Sequence, residues 1–557
     1  MRFSIVESFS MSSRCHDHLS SGAALAVDAL LGNGTNIVFG LPGIQLDALF
    51  SAFYDRRDAL RLIDTRHEQG AAYMALGFAE ASGKPGVFTV VPGPGLLNAG
   101  AALSTAYACG SPVVALIGQI DSKNIGGRLG DLHELPDQSG ILERLVRAHD
   151  LVASPAEVPA ALRQALEMVK SAGQGPVALE LPPDVLAAET DTTAGAGSHL
   201  QSDTVPSDEV SRLCDMIAAA HNPLIFAGRG ALHAAEPLAR IARRIGVPVV
   251  AQGRAKGILP DSDPLALTLL GAADLWKGCD LVIAVGTRMR HALQAWERPP
   301  GVRIAAIDID PTSAPAAKVA DLLVQADARA ALEALEAALP DQRRAAVPAV
   351  AEARSRARTR MEEELTPQMG FLRAIRQALG SEGRIVTDYT QIGYVAAIGY
   401  SVDAPGRLIT SGYQGTLGYA FPTALGAKIA MPDKRVAAIV GDGGFMFTAT
   451  ELATAVKHRI GLVTLLFNDG KFGNVRRIQE TVYGGRVIAT DLVNPDFQSF
   501  VHSFGARAAQ VHTPEELVEA MEEAFDSNLP TVIEIPVGEF PDPWPLIFPA
   551  VPAVAAR

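Results

Sequence analysis

Short runs rich in valine, isoleucine and leucine alternate with longer alanine-rich stretches along most of the chain. That alternation is the pattern of parallel sheets joined by crossover helices. It falls into three blocks. Over 15–189, strands are predicted at NIVFGL, VFTVV, PVVALIG and PVALEL. Over 207–339 they are predicted at NPLIFAGRG, VPVVAQ, DLVIAVGT and VRIAAIDID. Over 366–536 they are predicted at GRIVTD, RVAAIVGDG, LVTLLFND and TVIEIP. Each block is expected to form an α/β domain with a doubly wound parallel sheet, the first and third being similar in size and element order. Three domains also suit a length of 557 residues. Residues 190–207 are small, polar and without periodicity, and predict a linker. The charged, alanine-rich stretch 340–361 predicts an exposed helical connector. The segment 537–557 is rich in proline (FPDPWPLIFPAVP) and is predicted to wrap over a neighbouring domain rather than form a helix or central strand. Residues 1–14 are polar and Ser-rich, and predict a loose tail.

Composition narrows the class. Hydrophobic residues make up 48% and charged residues 20%, which is globular. A net charge of −13 repels phosphate backbones, so no nucleic-acid partner is expected. Cys15, Cys109, Cys214 and Cys279 lie far apart without metal-finger or redox spacing, and predict reduced thiols in a cytoplasmic protein. No apolar run reaches the ~18–20 residues that span a bilayer, and the N-terminus has no apolar signal core.

The strongest chemical signal is in the third block. A strand ends in Gly441-Asp442-Gly443-Gly444, a helical stretch follows, and a second apolar strand ends in Asn468-Asp469-Gly470. Magnesium wants near-octahedral oxygen ligands. Asp442 can supply a carboxylate oxygen, Asn468 an amide oxygen and Gly470 a backbone carbonyl. Both loops would lie at the carboxyl ends of adjacent strands, where open α/β sheets bind ligands. Gly443 and Gly444 would let backbone N–H groups approach a phosphate at a helix N-terminus. A GDG turn alone is also ordinary strand-end punctuation; the second strand and its Asn, at the right distance, separate the two readings. GDGGF followed by FNDGKFG resembles the thiamine-diphosphate signature, with Asp469 where a second Asn is usual.

In the first block, Glu68 follows His67 at a predicted helix start, and taken alone is a surface carboxylate favoured by the helix dipole. The longer string RHEQGAAYMALGFAEASGKPGV closely resembles acetolactate synthase and related enzymes. So do VVPGPGLLNAGAALSTAYACGSPVVALIGQ and TSGYQGTLGYAFPTALGAKIA. The resemblance covers nearly the whole chain past the N-terminal tail. It implies that the domains are pyrimidine-binding, central Rossmann-like and diphosphate-binding, and that the cofactors are thiamine diphosphate and Mg2+. Glu68 would activate the cofactor through a pyrimidine nitrogen. Leu417 would be the wedge beneath it, and the Gly415 carbonyl would meet its amino group. Thr390 and Gln391 would contact the diphosphate, although Ile392 stands where the family has His. Gln119 and His133 would steer or protonate the reacting species. The cofactor would lie between the first domain of one subunit and the third of another, making a homodimer obligatory and a tetramer expected.

The implied reaction is attack of the cofactor's ylide on a 2-oxo acid, loss of carbon dioxide, and an enamine that yields an aldehyde or a carboligation product. Two departures bear on its fate. Ile478 replaces the Trp that selects the acceptor in acetolactate synthase. Arg288-Met289-Arg290-His291-Ala292 replaces the RFDDR segment beside flavin and second substrate. Gly228-Arg229-Gly230, Gly286 to Arg288, Asp308 and Asp310 suit a Rossmann-like domain that holds FAD in some relatives; FAD is possible here but not favoured. Competing readings are an FAD-dependent pyruvate oxidase-like enzyme, a 2-hydroxyacyl-CoA lyase, a nicotinamide dehydrogenase and an inactive subunit. The last two leave Glu68, Asp442 and Asn468 unexplained.

Overall fold

A computed structural model describes residues 19–170, 175–191, 205–251, 253–310, 312, 314–340 and 348–551. The expected N-terminal tail, Cys15, most of the 190–207 linker and the last six residues lie outside the described residues.

Three six-stranded parallel sheets carry the chain. The first holds β1 (Ile37–Gly40), β2 (Arg61–Asp64), β3 (Gly86–Val90), β4 (Val113–Gly118), β5 (Ala148–Leu151) and β6 (Val177–Leu181), in the order 2-1-3-4-6-5. The second holds β7 (Pro223–Ala227), β8 (Val249–Ala251), β9 (Ala266–Leu267), β10 (Leu281–Val285), β11 (Arg303–Asp308) and β12 (Leu322–Gln325), in the order 9-8-7-10-11-12. The third holds β13 (Arg384–Thr387), β14 (Leu408–Thr410), β15 (Val436–Gly441), β16 (Val463–Asn468), β17 (Arg507–Gln510) and β18 (Thr531–Pro536), in the order 14-13-15-16-18-17. The outer two sheets share one topology, and the middle sheet has the doubly wound dinucleotide-fold order.

The sequence pattern identified the inner four strands of every sheet and missed both edges. Inner strands such as β4 and β10 are buried at every position and read as unbroken apolar runs. Edge strands face solvent: β5 is AHDL and β17 is RAAQ, neither with a fully buried position. The connector forms the expected helix, exposed along most of its length. Its helix, Pro348–Glu364, buries Val350, Ala353, Ala357 and Met361 at helical spacing, a stripe too dominated by alanine to stand out in the sequence.

The first and third domains are joined by helix packing. Helix α1 (Glu68–Ser82) lies against a helix of the third domain (Ala420–Ala430), and their side chains share one apolar core with both sheets. Glycines permit the approach. A Cβ on Gly77 would fall 1.8 Å from the carbonyl oxygen of Thr423, and one on Gly426 would fall 1.9 Å from that of Met74. Tyr73 and Tyr419 meet edge to face across the joint at 5.5 Å. The middle domain is tied in by Arg254, which pairs with Glu80 of α1 and donates to the Thr410 carbonyl at 2.9 Å.

Past β18 the chain runs across the third domain to the middle one. Gln368 donates to the Pro541 carbonyl (2.9 Å), and Trp296 Nε1 donates to the Pro549 carbonyl (2.6 Å). The tail therefore wraps over a neighbouring domain, apart from one short helix at Trp544–Ile547. Cys109, Cys214 and Cys279 are free thiols. Among the described residues no helix is long and apolar enough to cross a membrane.

The helix joint makes a direct prediction. Gly77→Ala forces a methyl into backbone that cannot withdraw like a flexible side chain, so a loss of roughly 1–3 kcal/mol is expected, read as a lower denaturant midpoint. A midpoint equal to the parent's would show that the two helices can part without cost.

Candidate active site

At the start of α1, His67 is the N-cap, its Nδ1 accepting from Gln69 N at 3.1 Å. Glu68 is the first helical residue, so its carboxylate stands at the positive end of the helix dipole. Its side chain is 17% exposed and accepts a hydrogen bond from Asn98 Nδ2 at 2.9 Å. The two residues before it are held from the third domain. Glu451, fully buried, accepts from the backbone N–H of Arg66 (3.1 Å) and His67 (3.0 Å) and from Thr454 Oγ1 (2.6 Å). Burial pushes its carboxyl above the usual range, against the lowering effect of those donors.

The third domain holds a cavity of about 690 Å³ at the carboxyl ends of its strands. Asp442, Gly443 and Gly444 form one side, Thr390 and Gln391 another, and Gly415 and Leu417 a third. Thr390 is the N-cap of helix α2 (Gln391–Gly399) and accepts from Gly393 N at 3.0 Å. The Gln391 side chain turns away to the tail, donating to the carbonyls of Phe540 and Pro541 at 3.3 Å, which leaves its backbone N–H at the helix start. Leu417 is 39% exposed, a large apolar side chain open to the cavity. Further along, helix α3 (Gly473–Thr481) and the tail residues Phe540 and Trp544 complete the lining.

Asp442 and Asn468 converge. Asn494 Nδ2 donates to Asp442 Oδ2 (2.6 Å) and to Asn468 Oδ1 (3.2 Å), so two oxygens from neighbouring strands point at one electropositive group. Buried Glu534 fixes this orientation by accepting from Asn468 Nδ2 at 2.8 Å. Asp469 is pushed up to about 6, first by burial and then by the charge of Asp442. The cluster is rich in hard oxygens and short of positive charge, a donor set that fits a divalent cation. Gly470 has φ +66°, and its carbonyl accepts from Leu492 N at 2.9 Å, with one lone pair left over. Among the described residues no group of three or more His, Cys, Asp or Glu could hold a metal, so a cation here would rest on at most two carboxylates together with neutral oxygens.

Gln119 and His133 stand apart from the cavity. Gln119 is buried, donates to Glu180 (2.8 Å), and accepts from Ile120 N (2.8 Å). Both ends of its amide are thus engaged inside the first domain. His133 is half-buried on a loop, at φ 69°, its Nδ1 3.1 Å from Gln45 Oε1. Gln119, His133, Glu68, Asn468 and Gly470 do not line the cavity, whose walls all come from the third domain and the tail.

Comparison with known proteins follows this division. Residues 20–141 match the N-terminal TPP binding domain of thiamine pyrophosphate enzymes, 210–335 the central domain, and 388–535 the C-terminal TPP binding domain. The chain belongs to the thiamine pyrophosphate enzyme family. It is 34% identical to a probable 2-ketoarginine decarboxylase of Pseudomonas aeruginosa, over 93% of this chain and 94% of the relative. It is 32% identical to a probable acetolactate synthase large subunit of Methanocaldococcus jannaschii, over 92% and 91%. It is 29% identical to the acetolactate synthase isozyme 3 large subunit of Escherichia coli, over 91% and 92%.

Sequence reasoning missed several residues of this thiamine pyrophosphate enzyme: Asn98, Asp388, Glu451, Asn494 and Glu534. They act through contacts made far along the chain, with no local spacing to reveal them. The hint for Asp388 was its place at a strand end, three residues before Gln391. Its Oδ1 accepts from Ala420 N at 2.9 Å, and its Oδ2 is buried without a partner. Burial raises it to about 7. Because the folded value lies above the unfolded one, its neutral form favours folding at low pH, and that contribution is lost as pH rises from the ordinary 3.8 through about 7. Asp388→Asn keeps the acceptor for Ala420 and removes the titration. It should gain stability relative to the parent at pH 8, by at most about 4 kcal/mol, and lose that advantage below pH 4. Thermal melts across this range check it; parallel profiles for the two proteins would refute it.

Proposed function

We propose that this chain is a magnesium- and thiamine-diphosphate-dependent decarboxylase of 2-oxo acids, working as a homodimer. The observation that carries the reading is the half-built cavity. Its third-domain wall bears Asp442, the glycine turn and Leu417, while Glu68 lies on the same chain outside it. A second copy would supply the missing half. Large apolar side chains left exposed on both halves support this. Ile44, Leu97, Leu129 and Leu132 are more than half exposed on the first domain, as are Phe447 and Val475 on the third.

In this reading Asp442, Asn468 and the Gly470 carbonyl hold the cation. Gly443, Gly444, Thr390 and the Gln391 backbone bind the diphosphate. The Gly415 carbonyl and the Leu417 side chain orient the cofactor's rings, and Glu68 holds a proton at the pyrimidine nitrogen. The bound cofactor supplies a nucleophilic carbon and an electron sink for the bond to carbon dioxide. His133 is the candidate for proton delivery, being the half-buried imidazole of the first domain's loop. Gln119, tied at both ends, acts by holding that loop's base.

Release of an aldehyde is favoured over ligation to a second 2-oxo acid. Residues 288–292, which the family resemblance sets beside an acceptor, have other contacts here. Arg288 stacks on Tyr413 at 4.4 Å, and His291 Nε2 lies 3.1 Å from the Pro549 carbonyl oxygen.

The direct test offers purified protein, thiamine diphosphate and magnesium a panel of 2-oxo acids, following carbon dioxide and identifying products by mass spectrometry. Cofactor-dependent carbon dioxide with an aldehyde is expected; release from none of the acids would overturn the reading. Glu68→Gln should keep cofactor affinity within about tenfold yet lose a factor on the order of 10²–10⁴ in turnover. Asp442→Ala should abolish magnesium-dependent cofactor binding in calorimetry. Co-expressed Glu68→Gln and Asp442→Ala chains should recover about a quarter of parental activity, since half of randomly paired dimers would carry one intact site of two. No recovery would place both residues in one chain's site.

A further inference from the structure

Within one chain, the cavity contains a cation that no carboxylate pairs with. Arg477, on α3, is half-buried and lines the cavity. Its guanidinium lies over the Trp544 ring at 5.0 Å, and Nη2 donates to Asn474 Oδ1 at 3.2 Å. Its Nε is buried without an acceptor. Among the described residues no carboxylate pairs with it.

The other cations of the cavity are already matched. Arg476 pairs with Glu480 at 2.9 Å and with Asp491. Lys471 faces Asp469, whose charge it offsets. Asp442 and Asp469 belong to the cation cluster. Glu539 and Asp542 also reach the cavity, but they are exposed on the tail, where water and salt weaken a charge. Among the cavity's cations, Arg477 is therefore the guanidinium without a carboxylate partner. Stacking on an indole fixes its plane, so less freedom is lost when an anion docks on it. A planar fork with free N–H donors matches a carboxylate.

We infer that Arg477 is the specificity-determining residue of this site, and that it selects 2-oxo acids whose side chain ends in a second carboxylate. The inference rests on the proposed decarboxylase reading and deepens it. It also sets this chain apart from its relative named for 2-ketoarginine. A guanidino side chain entering the same space would meet a like charge in a partly dry setting, which costs rather than gains free energy.

The experiment compares 2-oxoglutarate, 2-oxopentanoate and 5-guanidino-2-oxopentanoate as substrates of the holoenzyme and of its Arg477→Met and Arg477→Lys forms. The parent should show kcat/KM at least tenfold higher for the dicarboxylate than for the neutral acid, and lowest for the guanidino acid. Arg477→Met should lower kcat/KM for the dicarboxylate at least tenfold more than for the neutral acid, chiefly through KM. Arg477→Lys should retain only part of the preference, because an ammonium keeps the charge but not the stacked planar fork. Equal losses on all three substrates would make Arg477 an anchor for the tail and overturn the inference. So would a parental preference for the guanidino acid. Should the parent decarboxylate none of them, the reaction reading falls, and glutarate binding by calorimetry still decides the role of Arg477. At least tenfold weaker binding to Arg477→Met would sustain the anion site, and equal binding would end it.

Discussion

The joint between α1 and the Ala420–Ala430 helix is the contact on which the rest of the structure depends. Backbone meets backbone there because Gly77 and Gly426 carry no Cβ, and the aromatic and aliphatic side chains around them merge two domain cores into one. Cores of this density do not deform continuously. The first and third domains consequently behave as a single body, with Glu68 at one end of the joint and the Asp442 turn at a fixed offset from it. On the proposed reading, a dimer of such bodies closes two sites in one act of assembly. Neither site can be adjusted without moving the other.

Buried carboxylates set the finer geometry, each doing so by accepting from groups remote in sequence. Glu451 reaches from the third domain to the backbone just ahead of Glu68. Asp388 caps the helix that follows the Gly415–Leu417 turn. Glu534 rotates the Asn468 amide so that its oxygen faces Asp442. Glu180 gathers Gln119, Gln138 and Ser139 beneath the loop that carries His133. A buried carboxylate without donors would be strongly unfavourable. Here the donors are the very elements that must be held still, so desolvation cost and positional control arise from the same contacts.

These features explain what could be read from the sequence. Strands buried on both faces leave unbroken apolar runs, so the core of each sheet was visible; edge strands such as β5 and β17 present polar groups to solvent and were not. The glycine turn, Asp442 and Asn468 were visible because each closes an apolar strand run, a landmark that the sequence itself displays. Asn494 lies 26 residues beyond Asn468, and no spacing signals that their side chains meet. Gln391 shows the opposite limit: its position was legible, but the turn of its side chain toward the tail depends on a segment about 150 residues away.

The strand orders have a consequence of a different kind. The outer sheets repeat one order, and the middle sheet follows another. Independent recruitment of three domains gives no reason for the first and third to coincide. Duplication of a single ancestral domain, with an unrelated domain lodged between the copies, does. In the present chain the shared strand order carries different side chains at its two ends: Glu68 follows a strand of the first sheet, and Asp442 and Asn468 close strands of the third.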